Sequence, residues 1–364
     1  MATRVQKCVT RNARTEAECA AMGKRWKAEP CFLLIINGWG ENHMQWIKIM
    51  LIVLLAAAGS AALLLAAFAL LLFLFASRRL ARLSALPLDP KVYGPHLPEM
   101  ERGAAWFAAQ PAEAVSIRSA DGLRLAGRVL PAENAVGTML LMHGYRATGV
   151  RDFSCVLRFY HEHGYNIVLP DERACGESEG KYITFGVKER EDCRLWAEYA
   201  AARFGTELPL FLDGISMGAA TVLMATALPL PQNVRGVIAD CGFTSPMAII
   251  GAVAKKALGC CPAFVLRLSS FFAGCIGGWR YDACSAADAM RQNKNIPVFF
   301  AHGEKDDFVP VSMTLENHAA CAAEKGLFLA PEAGHGLSYL VERERCEAAL
   351  LRFLARHGGA ESPQ

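Results

Sequence analysis

The chain has 364 residues, 53% of them hydrophobic, with 38 Lys and Arg against 35 Asp and Glu for a formal net charge of +3. That length suits one large α/β domain plus an appendage, and the hydrophobic fraction lies above the globular average. The charge is small and no basic stripe interleaves with aromatic residues, so nucleic-acid binding has no support.

Residues 1–48 form a basic, cysteine-containing leader without helical or strand period, broken by Pro30 and by Gly38-Trp39-Gly40. Translation is expected to begin at Met44: Gly40-Glu41 is encoded by GGN-GAR, which can match a bacterial ribosome-binding sequence, and Met44-Gln45-Trp46-Ile47-Lys48 is a short polar start. Ile49 to Ala76 then contains no charged residue and only Gly59 and Ser60 as mild interruptions. This run predicts one transmembrane helix over 49–76. A cleaved signal peptide and a buried core helix are the competing readings, but the run is about twice as long as a signal peptide's apolar region.

Positive residues close to a span tend to stay in the cytoplasm. Arg78, Arg79 and Arg82 follow the span and only Lys48 stands close before it, a bias toward the cytoplasmic face of the cell membrane for the remainder of the chain; the alternative is export, since a long following domain can translocate despite flanking charge. Residues 77–99 read as this basic flank followed by a Pro-rich linker, and a globular domain is expected over 100–358, with a tail at 359–364. The thirteen cysteines include no Cys-x-x-Cys, and their scatter through apolar segments reads as reduced, structural thiols suited to a reducing compartment.

Within the domain, Val115–Ser119 and Leu123–Leu130 predict a β-hairpin about Ala120-Asp121-Gly122. Strands and helices then alternate: strand Thr138–Met142, helix Asp152–His163, strand Asn166–Pro170, helix Val187–Arg203, strand Leu208–Leu212, helix Met217–Leu228 and strand Arg235–Asp240. After apolar helical pieces over about 243–294 the rhythm resumes with strand Pro297–Ala301, helix Ser312–Lys325, strand Leu327–Ala330 and a closing helix Leu337–Arg356. This predicts an α/β fold, a mostly parallel sheet with helices on both faces, and a small helical cap inserted at 243–294. The cap's apolar residues, among them Met247, Val253, Phe264 and Phe271, either pack on the domain or form an acyl pocket.

Chemistry concentrates on Gly214-Ile215-Ser216-Met217-Gly218, where a buried strand meets a small-residue helix. A serine on a sharp strand-to-helix turn needs small residues two before and two after it, and Gly214 and Gly218 meet that need. Ser216 is therefore the expected nucleophile. A serine hydroxyl needs a general base, and an acid to orient that base. His335, in Gly334-His335-Gly336 after the final strand, is the expected base, with a plain surface role as the bland alternative. Asp306 is the leading candidate for the acid, with Asp307 beside it and Asp240 at the end of an earlier strand as alternatives. The oxyanion donors are expected to be the backbone N–H groups of Met217 and Tyr145, the latter in His143-Gly144-Tyr145, whose blander reading is a strand-ending turn. His143 reads as a brace for that loop. No metal and no organic cofactor are implied.

Taken together, His143-Gly144-Tyr145, the segment Asp171 to Gly180, Gly214 to Gly218, Asp306 with Val309-Pro310, and Gly334-His335-Gly336 resemble the α/β-hydrolase superfamily. The likeness covers Met100 to Gly358. It is nearest to bacterial membrane-anchored or secreted serine hydrolases grouped with the serine aminopeptidase-like and prolyl-oligopeptidase-like members, although Cys175 stands where histidine is common. The resemblance implies an eight-stranded sheet and hydrolysis of an ester, thioester or amide through an acyl-enzyme. The expected function is a carboxylesterase-like serine hydrolase acting on a small-molecule or lipid-like acyl substrate. A peptidase is the runner-up, disfavoured because the cap holds Asp282 and Asp288 but no dense acidic patch. A catalytically idle membrane-tethered binding protein is the alternative from another class.

Overall fold

The computed structural model describes residues 18, 21–22, 31–79 and 90–358, without the side chains of 31–42 and 92. Most of the leader, Arg82, Pro87 and the 359–364 tail lie outside the described residues. The chain divides into two compact units, Met1–Leu65 and Ala66–Gln364. Helix α1 (Cys31–Ser77) begins in the first and ends in the second. Its portion His43–Ser77, of 35 residues with an 18-residue stretch of mean hydropathy 2.6, is long and apolar enough to cross a membrane. In the second unit, however, the final turns of α1 belong to the globular core. Ala69 and Phe73 are fully buried there, and the Phe73 ring lies 5.4 Å from that of Tyr182.

Where a linker was expected, short turns at Pro90–Tyr93 and Gly94–His96 lead into α2 (Leu97–Ala108). The hairpin follows as β1 (Glu113–Arg118) and β2 (Arg124–Leu130), then β3 (Gly137–Met142). The helix expected over Asp152–His163 is two, α3 (Gly149–Phe153) and α4 (Leu157–Glu162). Helix α2 crosses this break so closely that a Cβ on Gly103 would lie 2.0 Å from the Ser154 carbonyl oxygen. Next come β4 (Tyr165–Pro170), α5 (Glu189–Phe204), β5 (Leu210–Ile215), α6 (Met217–Ala225) and β6 (Val234–Asp240). The inserted segment holds α7 (Pro246–Leu258), α8 (Ala263–Phe272) and α9 (Ala286–Gln292). The chain ends with β7 (Val298–Gly303), α10 (Val311–Ala320), β8 (Lys325–Ala330), α11 (Ser338–Val341) and α12 (Arg343–Gly358).

Among the described residues the sheet has eight strands in the order β1-β2-β4-β3-β5-β6-β7-β8. β1 and β2 pair antiparallel, as do β2 and β4, and every later pairing is parallel. Successive side chains of a strand point to opposite faces, and the cores follow that alternation. Leu140, Leu210, Leu212, Val237 and Phe300 pack with Trp196, Ala197 and α6 on one face, whereas Met139, Leu141, Phe211, Ile238 and Phe299 pack with Phe107, Leu157 and Phe353 on the other. Central strands are buried on both faces, which is why they read as continuous apolar runs. Their C-terminal ends gather the loops that carry Tyr145, Ser216, Cys241, Asp306 and His335 along one edge of the sheet, where ligands bind in open parallel sheets.

One acid inside this sheet has a measurable consequence. Asp213 on β5 is buried and accepts a 2.7 Å hydrogen bond from the Tyr160 hydroxyl. Burial raises its carboxyl to about 7, only partly offset by that bond. A carboxyl whose folded value exceeds its unfolded one binds more protons when native, so it lowers stability as pH climbs from about 4 to about 7. Asp213→Asn keeps an acceptor for Tyr160. Its melting temperature relative to wild type should rise across that interval and level off above it; an offset independent of pH would contradict this account.

Candidate active site

β5 ends against α6 at Ser216, whose backbone is left-handed (φ 57°, ψ −112°). That conformation is uncommon for a residue with a side chain and marks a turn held by its surroundings. The holding is steric. A Cβ on Gly214 would fall 2.3 Å from the Gly218 carbonyl carbon, and one on Gly218 would fall 1.9 Å from the Met142 carbonyl oxygen. The turn is thus pressed between its own helix and β3, and the Ser216 amide is tied to the Asp240 carbonyl at 2.8 Å. Met217 opens α6, so its N–H belongs to the first turn, where helix donors lack intrahelical partners and the dipole favours negative charge.

His335 and Asp306 are brought together. Nδ1 of His335 lies 2.7 Å from Oδ2 of Asp306. The same oxygen is 3.2 Å from Nε2 of His302, and Oδ1 accepts from the amides of Phe308 and Val309, each at 2.8 Å. Burial alone would push this carboxyl up, but the two imidazoles and the Val309 amide outweigh it and hold it below the ordinary carboxylate range. An ionised carboxylate can only accept, so Nδ1 of His335 carries the proton and Nε2 is its free basic nitrogen. The other two acids considered from the sequence are engaged elsewhere. Asp307 is exposed and pairs with Lys256 at 2.9 Å, and Asp240 accepts from the Ser338 hydroxyl at 2.9 Å.

The loop after β3 is fixed by buried polar contacts. His143 is fully buried, with Nδ1 2.8 Å from the Gly144 carbonyl and Nε2 accepting from the Glu172 amide at 2.9 Å. Burial lowers its basicity, so the ring is neutral, with one nitrogen donating and the other accepting. This is the bracing arrangement expected of it. The Gly144 amide donates to Asp152 at 2.7 Å, and a Cβ on Gly144 would lie 3.4 Å from that of Ser216, so the loop runs directly beside the serine. The segment Asp171 to Gly180 is structural. Its Arg173 is clamped by Asp192 at 2.6 Å and Asp121 at 2.9 Å, and Ser178 donates to the Asp171 carbonyl at 2.6 Å. Cys175 is buried in the core.

A cleft of about 410 Å³ joins these parts, lined by Gly144, Tyr145, Ser216 and His335 together with Met100, Val156, Phe308 and Leu340. Of the two readings of the cap, the acyl pocket is not the one that this cleft bears out. Of the cap, Lys256 reaches the cleft, while Ile249, Val265 and Leu266 are buried in the core and Leu258, Phe264 and Phe271 are exposed. The apolar wall comes instead from α2, the α3–α4 break and α11.

Three neighbours of the site escaped sequence reasoning. Tyr93 lines the cleft and donates to the His335 carbonyl at 2.9 Å, but it sits in a segment with the composition of a linker. His302, at the end of β7 and four residues before Asp306, could have been suspected from that spacing. Cys241 is buried with its sulfur, a carboxylate oxygen of Asp306 and a ring nitrogen of His335 all within 4.8 Å of one another. Cys/Asp/His is a possible metal-ligand set by residue type. Here burial drives the thiol well above its ordinary value, and three acceptor sites of Asp306 are already filled by His335, Phe308 and Val309.

A sequence model of the prolyl oligopeptidase family matches residues 151–361, more than half of the chain. The chain belongs to that family. As a prolyl oligopeptidase family member it is 25% identical, over 250 residues, to an uncharacterized Bacillus subtilis protein, YqkD; the alignment covers 68% of this chain and 81% of that one. Among solved structures it is similar to the Pyrococcus furiosus esterase Pf2001, with TM-score 0.56, 21% identity and coverage of 76% of this chain and 96% of that one. It is also similar to the Pyrococcus horikoshii acylaminoacyl peptidase, with TM-score 0.54, 15% identity and coverage of 72% and 45% respectively. These likenesses establish an α/β-hydrolase fold, and family and fold together make this prolyl oligopeptidase relative a serine hydrolase.

Proposed function

We propose that the protein cleaves a carboxylic ester or thioester through an acyl-enzyme on Ser216. One observation carries the reading: a strained serine at the tip of β5 shares a cleft with an imidazole whose far nitrogen is held by a buried, ionised carboxylate. In this reading His335 takes the Ser216 proton through Nε2 as the hydroxyl attacks, and Asp306 steadies the imidazolium. His335 then protonates the leaving group and afterwards activates the water that releases the acid. The N–H groups of Tyr145 and Met217 receive the negative charge that develops on the carbonyl oxygen, where losing one donor costs about 3 kcal/mol.

The cleft favours an ester over a peptide with a free amino terminus. Such a peptidase needs an uncommitted carboxylate to hold the ammonium group. The carboxylates lining this cleft are all engaged: Asp152 by the Gly144 amide, Asp240 by Ser338 and Asp307 by Lys256. The apolar wall from α2, the α3–α4 break and α11 suits an acyl chain. A panel of chromogenic acyl esters of increasing chain length, run beside aminoacyl amides on the full chain, tests this directly. Turnover of esters should exceed that of amides by at least about a hundredfold, and efficient release of amines from unblocked aminoacyl amides would make the enzyme a peptidase.

A further inference from the structure

The reading of Ser216 as nucleophile and Tyr145 N–H as oxyanion donor leaves open what fixes that N–H in place. On its N-terminal side the loop is held by His143 and Asp152, as described above. On its C-terminal side it is held by the end of α1. A helix leaves its last four carbonyls without intrahelical partners and carries negative partial charge there, and the last turn of α1 contains no basic residue of its own. Two of those carbonyls are met from the loop after β3, while that of Ser77 accepts from the Ile183 amide at 2.7 Å. The Tyr145 hydroxyl donates to the Ala76 carbonyl at 2.5 Å, and Nη2 of Arg146 donates to the carbonyls of Phe75 at 2.6 Å and Arg78 at 2.9 Å.

The need is mutual. Arg146 is buried, its guanidinium stacks 4.8 Å from the Tyr145 ring, and a desolvated cation requires acceptors. Its backbone is left-handed (φ 51°), an unfavourable state for a residue with a side chain that persists only where the surroundings impose it. The residue that carries the donor N–H therefore adjoins a strained residue whose side chain is locked to the helix end.

We propose that the last turn of α1 is a working part of the active site, holding the Tyr145 N–H on the oxyanion through Tyr145 and Arg146, with Arg146 the positioning residue. The helix is then more than a tether. A domain cut free of it would keep Ser216, His335 and Asp306 and yet lose oxyanion stabilisation.

The test uses the full chain in detergent, with kcat and KM measured on an acyl ester and Ki on a boronic acid whose tetrahedral adduct places an oxygen among the oxyanion donors. Arg146→Met should lower kcat at least about tenfold with little change in KM, and should weaken the boronic acid by a similar factor. Tyr145→Phe, which keeps the N–H, should act in the same direction more weakly, and it decides the matter should Arg146→Met fail to fold. Two results overturn the proposal: variants whose kcat stays within about twofold of wild type, or a fall in kcat without matching loss of boronic acid affinity. Ser216→Ala run alongside separates the two levels, because turnover surviving in that variant defeats the serine-hydrolase reading itself, whereas its abolition beside unaffected loop variants defeats only the clamp.

Discussion

Replacing Ser216 by alanine in the full chain is expected to lower kcat by roughly four to six orders of magnitude, and His335→Ala by a similar amount, because the members of such a constellation act as one unit. Neither change should unfold the protein. The Ser216 turn is shaped by Gly214 and Gly218, and His335 contributes one hydrogen bond to a carboxylate that also accepts from two backbone amides. Asp306→Asn should cost about ten-thousandfold, since the amide can no longer hold Nδ1 protonated. Asp307→Asn, at a side chain 77% exposed and paired with Lys256, should stay within a few-fold of wild type. A large loss in Asp307→Asn with Asp306→Asn nearly intact would move the acid one residue along. Rates at saturating ester, with circular dichroism to confirm folding, are sufficient.

The largest loss of stability is expected from Gly218→Ala. The added methyl would lie 1.9 Å from the Met142 carbonyl oxygen and 2.8 Å from that of His143, both rigid backbone atoms of the central strand and its loop. Relief requires α6 to move off β3, and α6 is buried throughout its length. Overpacking of this kind costs about 3 kcal/mol or more, enough to deplete folded protein in a marginally stable domain. Gly94→Ala is the control, since a Cβ there meets nothing within 4 Å. Comparison of urea midpoints should show a large fall for the first and almost none for the second. Equal midpoints would mean that the close contact between α6 and β3 does not exist.

What was legible in the sequence, and what was not, follows from how local each signal is. The βαβ rhythm could be read because central strands buried on both faces leave uninterrupted apolar runs, as at Leu210–Leu212 and Val237–Ala239. The Ser216 turn could be read because sterics at Gly214 and Gly218 admit no side chain. Asp306 against Asp307 could not be decided in advance, because the choice rests on which carboxylate faces His302 and His335 across the loop. Nor could the fate of the span's last turns. A helix end packed on a domain and one immersed in lipid are equally apolar, and it takes Arg146, which lies 68 to 71 residues from the carbonyls it bonds, to tell them apart. The cap stayed undecided for a related reason: apolar residues in an insertion serve equally well as core, as surface or as pocket, and here they are core and surface.

The most direct measurement is covalent. Treatment of the full chain with a fluorophosphonate, followed by digestion and mass spectrometry, should find one phosphonylated residue, Ser216, with labelling abolished in Ser216→Ala and greatly slowed in His335→Ala. A folded protein that takes up no probe, or one that is labelled equally well in Ser216→Ala, would contradict the assignment of Ser216 as an activated nucleophile.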